Sequence, residues 1–278
     1  MLKILNSQSK SITGAAIIIS GATLVSRLVG LLRDRIFAHY FGAGPIMDAY
    51  YAAFKIPDLV YNLLIIGALS AAFIPTFTKL FYGSEAQPRT EPALAGSGTG
   101  DKSPAWKLAN NVLNITAVSL GVVSVMGIIF TPALAPLIAP GFSPASQELV
   151  ISFTIIMFGS TILLGLSMVI GGILQSLRAF FLYSLAPIFY NVGIIIGATI
   201  LAPIWGINGL AWGVVLGAFF HFSLQTYSAY ANGYRWRWYL NWRDKEAKLM
   251  GKLMIPRTLG LAISQLNLVI ITILASLL

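Results

Sequence analysis

Charged side chains are concentrated between residues 26 and 58 of an otherwise apolar chain. Arg27 stands within an apolar run, and a helix over residues 12–33 would be long enough to cross a hydrocarbon layer of about 30 Å. An arginine inside that layer costs at least about 2.5 kcal/mol unless it faces water or a partner. Arg27 is therefore a candidate functional residue that faces a hydrated cavity.

Polar residues form narrow stripes on two consecutive predicted helices. Arg27 and Asp34 are seven residues apart and share one face of the first helix. Asp48, Lys55 and Asn62 repeat that spacing on the second helix. The two stripes could line a cavity between the helices, or they could form ion pairs that lock one helix to the other. Spacing leaves both interpretations open.

The composition is typical of a membrane protein with several spans. Mean hydropathy is +0.80 and only 10% of the 278 residues are charged, which excludes an ordinary soluble domain. The absence of cysteine excludes disulfides and thiolate metal sites. No enzyme motif is present, and two histidines are too few to favour a metal site. We therefore expect no enzymatic activity, no metal and no cofactor.

Apolar runs predict seven transmembrane helices. The first covers residues 12–33 with a possible extension to Tyr40, and the second covers 46–81 with kinks at Pro57 and Pro75. The others are expected at about residues 105–130, 147–175, 184–202 and 207–230, and from about 255 onwards. Residues 83–104 are rich in Gly, Ser and Pro and predict a linker. Four prolines after residue 130 predict a loop.

Two further patterns indicate packing and not ligand binding. Closely spaced glycines in the fifth and sixth predicted helices favour a close approach of the two backbones; they are Gly193, Gly197, Gly209, Gly213 and Gly217. His221 lies inside the sixth helix. We interpret it as a hydrogen-bonded packing residue in preference to a proton relay.

The lysines and arginines predict the orientation of the chain. If the N-terminus is cytoplasmic, all 18 lie on the cytoplasmic side except those of the opening stretch, Arg27, Arg33, Arg35 and Lys55. The linker 83–104 and the loop 231–252 would then both be cytoplasmic. That loop is rich in tryptophan and arginine, which is typical of an anchor at the membrane interface and not of a nucleic-acid-binding segment.

The opening stretch resembles the signature with which the MurJ (MviN) lipid II flippases begin. It reads SRLVGLLRDRIFAHYFGAGPIMDAYYAAFKIPDL and is followed by GALSAAFIP. The similarity continues through LIAPGF, GGILQSLRAFFLYSLAPIFYNVGII and PRTLGLAISQLNLVIITILASLL, and it covers nearly the whole chain. These flippases belong to the multidrug/oligosaccharidyl-lipid/polysaccharide exporter superfamily. Their fold has fourteen spans, arranged as two six-helix lobes and two further helices.

The resemblance implies a fold and a function. Residues 1–250 would form an N-terminal six-helix lobe, and residues 251–278 would form a seventh transmembrane helix that starts a missing second lobe, so the chain would be truncated. The implied function is the flipping of lipid II, a polyprenyl-diphosphate-linked peptidoglycan precursor, across the bacterial inner membrane by alternating access. The implied partners are that lipid-linked sugar diphosphate, membrane lipids, and a second lobe or a homodimer partner.

The resemblance also implies the site. Its substrate-binding residues would be Arg27, Arg33, Asp34, Asp48 and Lys55, so it adds Arg33, which lies off the helical stripe. The chain departs from the family where an arginine pair is replaced by Tyr61 and Asn62, and where an acidic residue is replaced by Ile66.

Two other functions remain open at this stage. One is a cation-coupled drug exporter of the same superfamily, which would need membrane-embedded carboxylates that select cations. The other is a half-protein or scaffold that does not transport.

Overall fold

The computed structural model describes residues 12–63, 72–83 and 102–277, which are mostly helical and contain no strand. In chain order the helices are α1 (Ile12–Phe41), α2 (Pro45–Ala53), α3 (Lys55–Tyr61), α4 (Ile74–Tyr82), α5 (Ser103–Ile138), α6 (Pro144–Ser176), α7 (Phe180–Ile196), α8 (Ala202–Trp205), α9 (Gly209–Ala231) and α10 (Lys245–Ser276). A wider helical turn, Gly197–Leu201, joins α7 to α8.

Four helical stretches are long and apolar enough to cross a membrane: Thr13–Phe41, Ser103–Ile138, Pro144–Ser176 and Phe180–Trp205. Backbone polar groups within hydrocarbon must be satisfied inside the chain, and a helix achieves this within one segment. The chain is therefore an all-α polytopic membrane protein, as its composition predicted.

The kink expected at Pro57 is present as a break at Phe54, between α2 and α3. Proline has no N–H, so Pro57 cannot donate to the carbonyl of Ala53 four residues earlier. The hydroxyl of Thr154 on α6 donates to that carbonyl instead, at 3.2 Å. The break is thus stabilised by the neighbouring helix.

Helix α1 continues to Phe41, which confirms the extension considered up to Tyr40. Other predicted boundaries were wrong. The loop expected after residue 130 is helical, because α5 runs through Pro132 and Pro136 to Ile138. Thr131 and Ala135 are fully buried there, so packing compensates for the hydrogen bonds that the prolines remove.

The last helix also starts earlier than predicted, and the linker is shorter. Helix α10 begins at Lys245, ten residues before the expected start, because Asp244 Oδ1 accepts from the N–H groups of Glu246 and Ala247, both at 3.1 Å. The predicted linker ends before Ser103, where α5 begins. Its residues 84–101 lie outside the described part of the chain.

Helices α6, α7 and α9 form the centre of the fold. Gly193 of α7 and Gly197, which begins the wider turn after it, face Gly217 and Gly213 of α9. The helices are so close that a Cβ atom on any of these glycines would meet the opposite backbone. The close approach predicted from the glycine spacing is confirmed. Helix α1 packs chiefly along α7, and this contact brings its charged residues to the candidate site.

Candidate functional site

Arg33 on α1 is held between a carboxylate on its own helix and an amide on α7. Its Nε and Nη2 both donate to Asp34 Oδ1, at 2.9 and 2.7 Å. Its Nη1 donates to Asn191 Oδ1 at 3.0 Å. Neighbouring residues of a helix point about 100° apart, so the long arginine side chain bends back to reach Asp34. The site therefore joins α1 to α7 through Arg33.

Asn191 is oriented by its own helix. Its Nδ2 donates to the carbonyl of Pro187 at 3.0 Å, and the residue is only 9% exposed. An amide nitrogen can donate to a carbonyl but an amide oxygen cannot, so this bond directs Oδ1 towards Arg33. Asn191 therefore sets the position of the guanidinium group.

The guanidinium group keeps donors for a further ligand. Arginine has five N–H groups, and the three contacts above use three of them. Among the described residues the other two have no acceptor. The side chains of Arg33 and Asp34 are 27% and 50% exposed, so a ligand could reach them. A planar group with spare donors suits phosphate oxygens.

Tyrosines surround this arginine. Tyr50 and Tyr51 of α2 lie within electrostatic range of both Arg33 and Asp34, and Tyr190 of α7 lies within range of Arg33. Tyr50 is buried and packs edge-on against Phe37 of α1, with ring centroids 5.3 Å apart. Tyr51 is half exposed, so its hydroxyl can donate to a ligand at the arginine.

Three predicted site residues lie apart from this cluster. Arg27 is exposed and about 9 Å further towards the start of α1. Asp48 is exposed in the first turn of α2, and Lys55 is half buried in the first turn of α3. Within residues 12–63, 72–83 and 102–277 none of the three forms an ion pair. Lys55 does lie within electrostatic range of Asp58.

The interhelical ion pairs considered from the stripes are not what the structure shows. The ion pair of this region is Arg33–Asp34, at 2.7 Å, and it joins two neighbours on one helix. Asp34 is thus paired with Arg33 and not with Arg27. The second helix meets α1 through aromatic contacts near Phe37 and Tyr50, while the polar contact runs to α7.

Sequence reasoning missed two members of the site, Asn191 and Tyr190. Both lie in a run without any charged residue, and Asn191 is an amide inside a transmembrane helix. A polar side chain at that depth is itself a signal for an interhelical hydrogen bond. Asp58 was also left out, although it lies within electrostatic range of Tyr190.

A second polar group inside the helices has a packing role. Ser167 Oγ donates to Gln225 Oε1 at 3.0 Å and lies 2.7 Å from His221 Nδ1. A hydroxyl has one proton, so Nδ1 of the histidine is the donor in the second contact. His221 is thus a hydrogen-bonded link between α6 and α9, in agreement with its interpretation from the sequence.

Solved structures define the class to which this fold belongs. A lipid II flippase MurJ in an inward closed conformation aligns with a TM-score of 0.72 and 24% identity, over 94% of this chain and 51% of that chain. An outward-facing transporter of the multidrug resistance MATE family, of the MOP superfamily, aligns with a TM-score of 0.64 and 16% identity, over 95% and 55%. The fold is that of a helical membrane transporter.

The family follows from sequence similarity. A family model described as Lipid II flippase MurJ matches residues 37–278, and the chain belongs to this family. A probable lipid II flippase MurJ of Buchnera aphidicola is 31% identical over 260 residues, covering 92% of this chain and 48% of that protein. The lipid II flippase MurJ of Burkholderia cenocepacia is 31% identical over 270 residues, covering 94% and 49%.

The chain matches only part of its relatives, and the family model covers only part of the candidate site. The chain spans about half the length of the curated relatives it matches. Asp48 and Lys55 lie within the range matched by the family model, whereas Arg27, Arg33 and Asp34 precede it.

Proposed function

We propose that this chain supplies the N-terminal lobe of a flippase that moves lipid II, a polyprenyl-diphosphate-linked peptidoglycan precursor, across the bacterial inner membrane. The observation that carries the proposal is the half-exposed Arg33, fixed by Asp34 and Asn191, with two N–H groups left for a ligand. Membership of the MurJ family and relatives named as lipid II flippases support it.

Binding would start at the diphosphate. The spare donors of Arg33 would take its oxygens as charge-assisted hydrogen bonds, and the exposed hydroxyl of Tyr51 would add a donor. Asp34 holds the side of the guanidinium group that carries Nε and Nη2, so it limits how that group can turn. Arg27, about 9 Å away along α1, would contact a more distant part of the headgroup.

Lys55 and Asp48 complete the proposed site, with different roles. Lys55 would add positive charge from α3. It lies within electrostatic range of Asp58, and it would exchange this carboxylate for the substrate phosphate when the substrate arrives. Asp48 stands in the first turn of α2, where a carboxylate stabilises the helix N-terminus. Its contribution to substrate binding would come through electrostatic interaction with the cations.

The two other candidate functions are less favoured. A site for cationic drugs would place unpaired carboxylates at its centre, whereas the carboxylate at this centre, Asp34, is paired with Arg33. A scaffold would not need a half-exposed arginine with spare donors inside a transmembrane helix, where it is costly. We propose a transporter that has no enzymatic activity.

The proposed arrangement has residues 1–250 as the first lobe, residues 251–278 as part of a seventh span, and a cytoplasmic N-terminus. Substrate would pass between this lobe and a second one, either a second half or a partner chain, by alternating access. A cysteine at exposed Ala231, which ends α9, tests the orientation. We expect a membrane-impermeant thiol reagent to label it only after cell lysis, and labelling of intact cells would contradict the proposal.

The function itself is tested by the binding of lipid II to this chain. The purified chain in lipid nanodiscs should bind lipid II, and Arg33→Leu should abolish that binding. The double change Arg33→Leu with Asp34→Leu removes the pair without leaving an unpaired charge. If the pair served only to hold the structure, the double variant would recover both abundance and binding. Under the proposal the double variant is as abundant as the wild-type chain and still does not bind lipid II.

A further inference from the structure

The segment that joins α9 to α10 is attached to the first turns of α5 by three buried asparagines. Asn110, Asn111 and Asn114 are 3%, 0% and 2% exposed. They lie on α5, and we call them the asparagine clamp. The chain that they hold, residues 234–241, follows the turn after α9 and is not helical. Buried amides must be hydrogen-bonded, and these are bonded to that segment.

The hydrogen bonds of the clamp go mainly to the backbone. Asn110 Oδ1 accepts from the N–H of Arg237 and the hydroxyl of Tyr234, both at 2.9 Å. Asn111 binds Asn241 in both directions, accepting from its N–H at 2.7 Å and donating to its carbonyl at 3.0 Å.

Asn114 donates to two carbonyls of the same segment, those of Arg237 and Tyr239, both at 3.0 Å. Its Oδ1 accepts from the indole N–H of Trp236 at 3.1 Å. The backbone of the segment is thus fixed on the side that faces α5.

The side chains of the segment are left exposed. Trp236, Trp238 and Trp242 are 50%, 64% and 53% exposed, and the rings of the first two meet edge to face with centroids 6.4 Å apart. Arg237 and Arg243 are exposed as well. Rings and cations that are held in place by their backbone lose little conformational entropy when they bind.

The position of the segment places these side chains at a membrane boundary. Helix α5 has 36 residues and is about 54 Å long, which exceeds a hydrocarbon layer of about 30 Å. Its first turns carry the clamp and the charged Lys107, whereas its exposed large apolar residues begin further along, at Val122. The first turns are therefore the end that extends towards the headgroup region. Tryptophan is enriched there because its ring is apolar and its N–H is polar.

The local charge determines which headgroups fit. Residues 235–252 contain a clear excess of cations over anions: Arg235, Arg237, Arg243, Lys245, Lys248 and Lys252 against Asp244 and Glu246. Nη1 of Arg235 donates to the carbonyls of Tyr230 and Tyr234, both at 2.6 Å, so this residue completes the end of α9. Arg237 and Arg243 lie beside the exposed tryptophans, and among the described residues their side chains make no hydrogen bond.

We propose that residues 235–243, which run from the clamped segment into the turn after it, bind the headgroups of anionic phospholipids. Arg237 and Arg243 would contact phosphates, and Trp238 and Trp242 would insert between the headgroups. A basic residue near an anionic leaflet adds roughly 1 kcal/mol, which is about fivefold in local lipid enrichment. This surface is separate from the Arg33 site and does not depend on the proposed transport of lipid II.

Tryptophan quenching in nanodiscs tests the proposal. A minor fraction of the lipid carries brominated acyl chains on either phosphatidylglycerol or phosphatidylcholine, in a phosphatidylcholine background. The wild-type chain should be quenched more by the brominated phosphatidylglycerol, and added salt should reduce the difference. Equal quenching by the two lipids would overturn the proposal.

Two variants assign the effect to the segment. Arg237→Gln with Arg243→Gln should lower the preference clearly, and neither side chain takes part in the clamp. The matched control, Lys79→Gln with Arg178→Gln, removes the same charge from two exposed residues elsewhere and should keep the preference. A preference that is undiminished in the first variant, or that falls equally in the control, would contradict the assignment.

The role of the clamp is tested by Asn114→Leu. Asn114 binds the carbonyls of Arg237 and Tyr239, so its loss should loosen the segment from α5. The amides of Arg237 and Asn241, which Asn110 and Asn111 hold, should then exchange hydrogen faster, and the preference for phosphatidylglycerol should fall as this protection is lost. If these amides exchange freely in the variant and its preference for phosphatidylglycerol equals that of the wild-type chain, the clamp is not needed for lipid binding.

Discussion

The asparagine clamp and the Arg33 site both use amide side chains on helices, yet they differ in how completely their polar atoms are satisfied. The clamp residues are at most 3% exposed, and their amide groups are hydrogen-bonded to one segment. Arg33 is 27% exposed and keeps donors without an acceptor among the described residues. A buried polar group whose hydrogen bonds are all made stabilises the fold. An exposed group that keeps spare donors is available to a ligand.

The largest effect is expected from Asn111→Leu in the clamp. This change leaves the N–H and the carbonyl of Asn241 without their partner. Each unpaired group costs about 1–3 kcal/mol, so unfolding should become easier by about 2–6 kcal/mol, towards the lower end because Asn241 is half buried. Chemical denaturation in detergent measures the change. The control Thr272→Val, which removes a hydroxyl bonded to the carbonyl of Leu268 on its own helix, should change stability by less than about 0.5 kcal/mol.

Arg33→Ala should produce the opposite pattern. Lipid II binding should fall by at least about tenfold, because hydrogen bonds to charged groups contribute about 1.5–3 kcal/mol. Stability should change by no more than about 1 kcal/mol, because the Arg33–Asp34 pair is half exposed. Arg33→Lys should restore only part of the binding. Arg35→Ala, at an exposed arginine of the same helix, is the control. A large loss of stability with Arg33→Ala would show that Arg33 serves to stabilise the fold and not to bind the substrate.

A smaller effect is expected from Asn191→Leu, which removes the group that positions Arg33. The loss of one positioning hydrogen bond, about 1 kcal/mol, should weaken lipid II binding by about fivefold. The same change in an Arg33→Lys background should have little further effect if Asn191 acts through the guanidinium group. Equal losses in the two backgrounds would show that Asn191 acts independently.

The smallest effect is expected from Trp236→Phe. The variant keeps an aromatic ring and loses one bond to Asn114 Oδ1. Stability should fall by about 0.5–1.5 kcal/mol, less than for Asn111→Leu, while lipid II binding stays unchanged. Denaturation and lipid II binding, both measured on one preparation, separate an effect on stability from an effect on binding. A change in lipid II binding would mean that the clamp and the Arg33 site are coupled.

Much of the architecture could be predicted from the sequence. Long uncharged runs must form helices in a membrane because hydrocarbon offers no partners to exposed backbone groups. The break near Pro57 and the close approach of the glycines on α7 and α9 follow from backbone chemistry that each residue carries with it. The basic, tryptophan-rich character of residues 235–243 was equally visible.

The tertiary structure decided which polar residues meet. Helical periodicity paired Arg27 with Asp34, but the bonds of Arg33 depend on where α7 places Asn191. The continuation of α5 past Pro132 depends on its packing, which outweighs a local helix-breaking preference. The sequence shows three asparagines near the start of α5, and only the fold reveals that residues 234–241 lie against them. Periodicity determines a face within one helix, whereas a partner on another helix is determined by packing between helices.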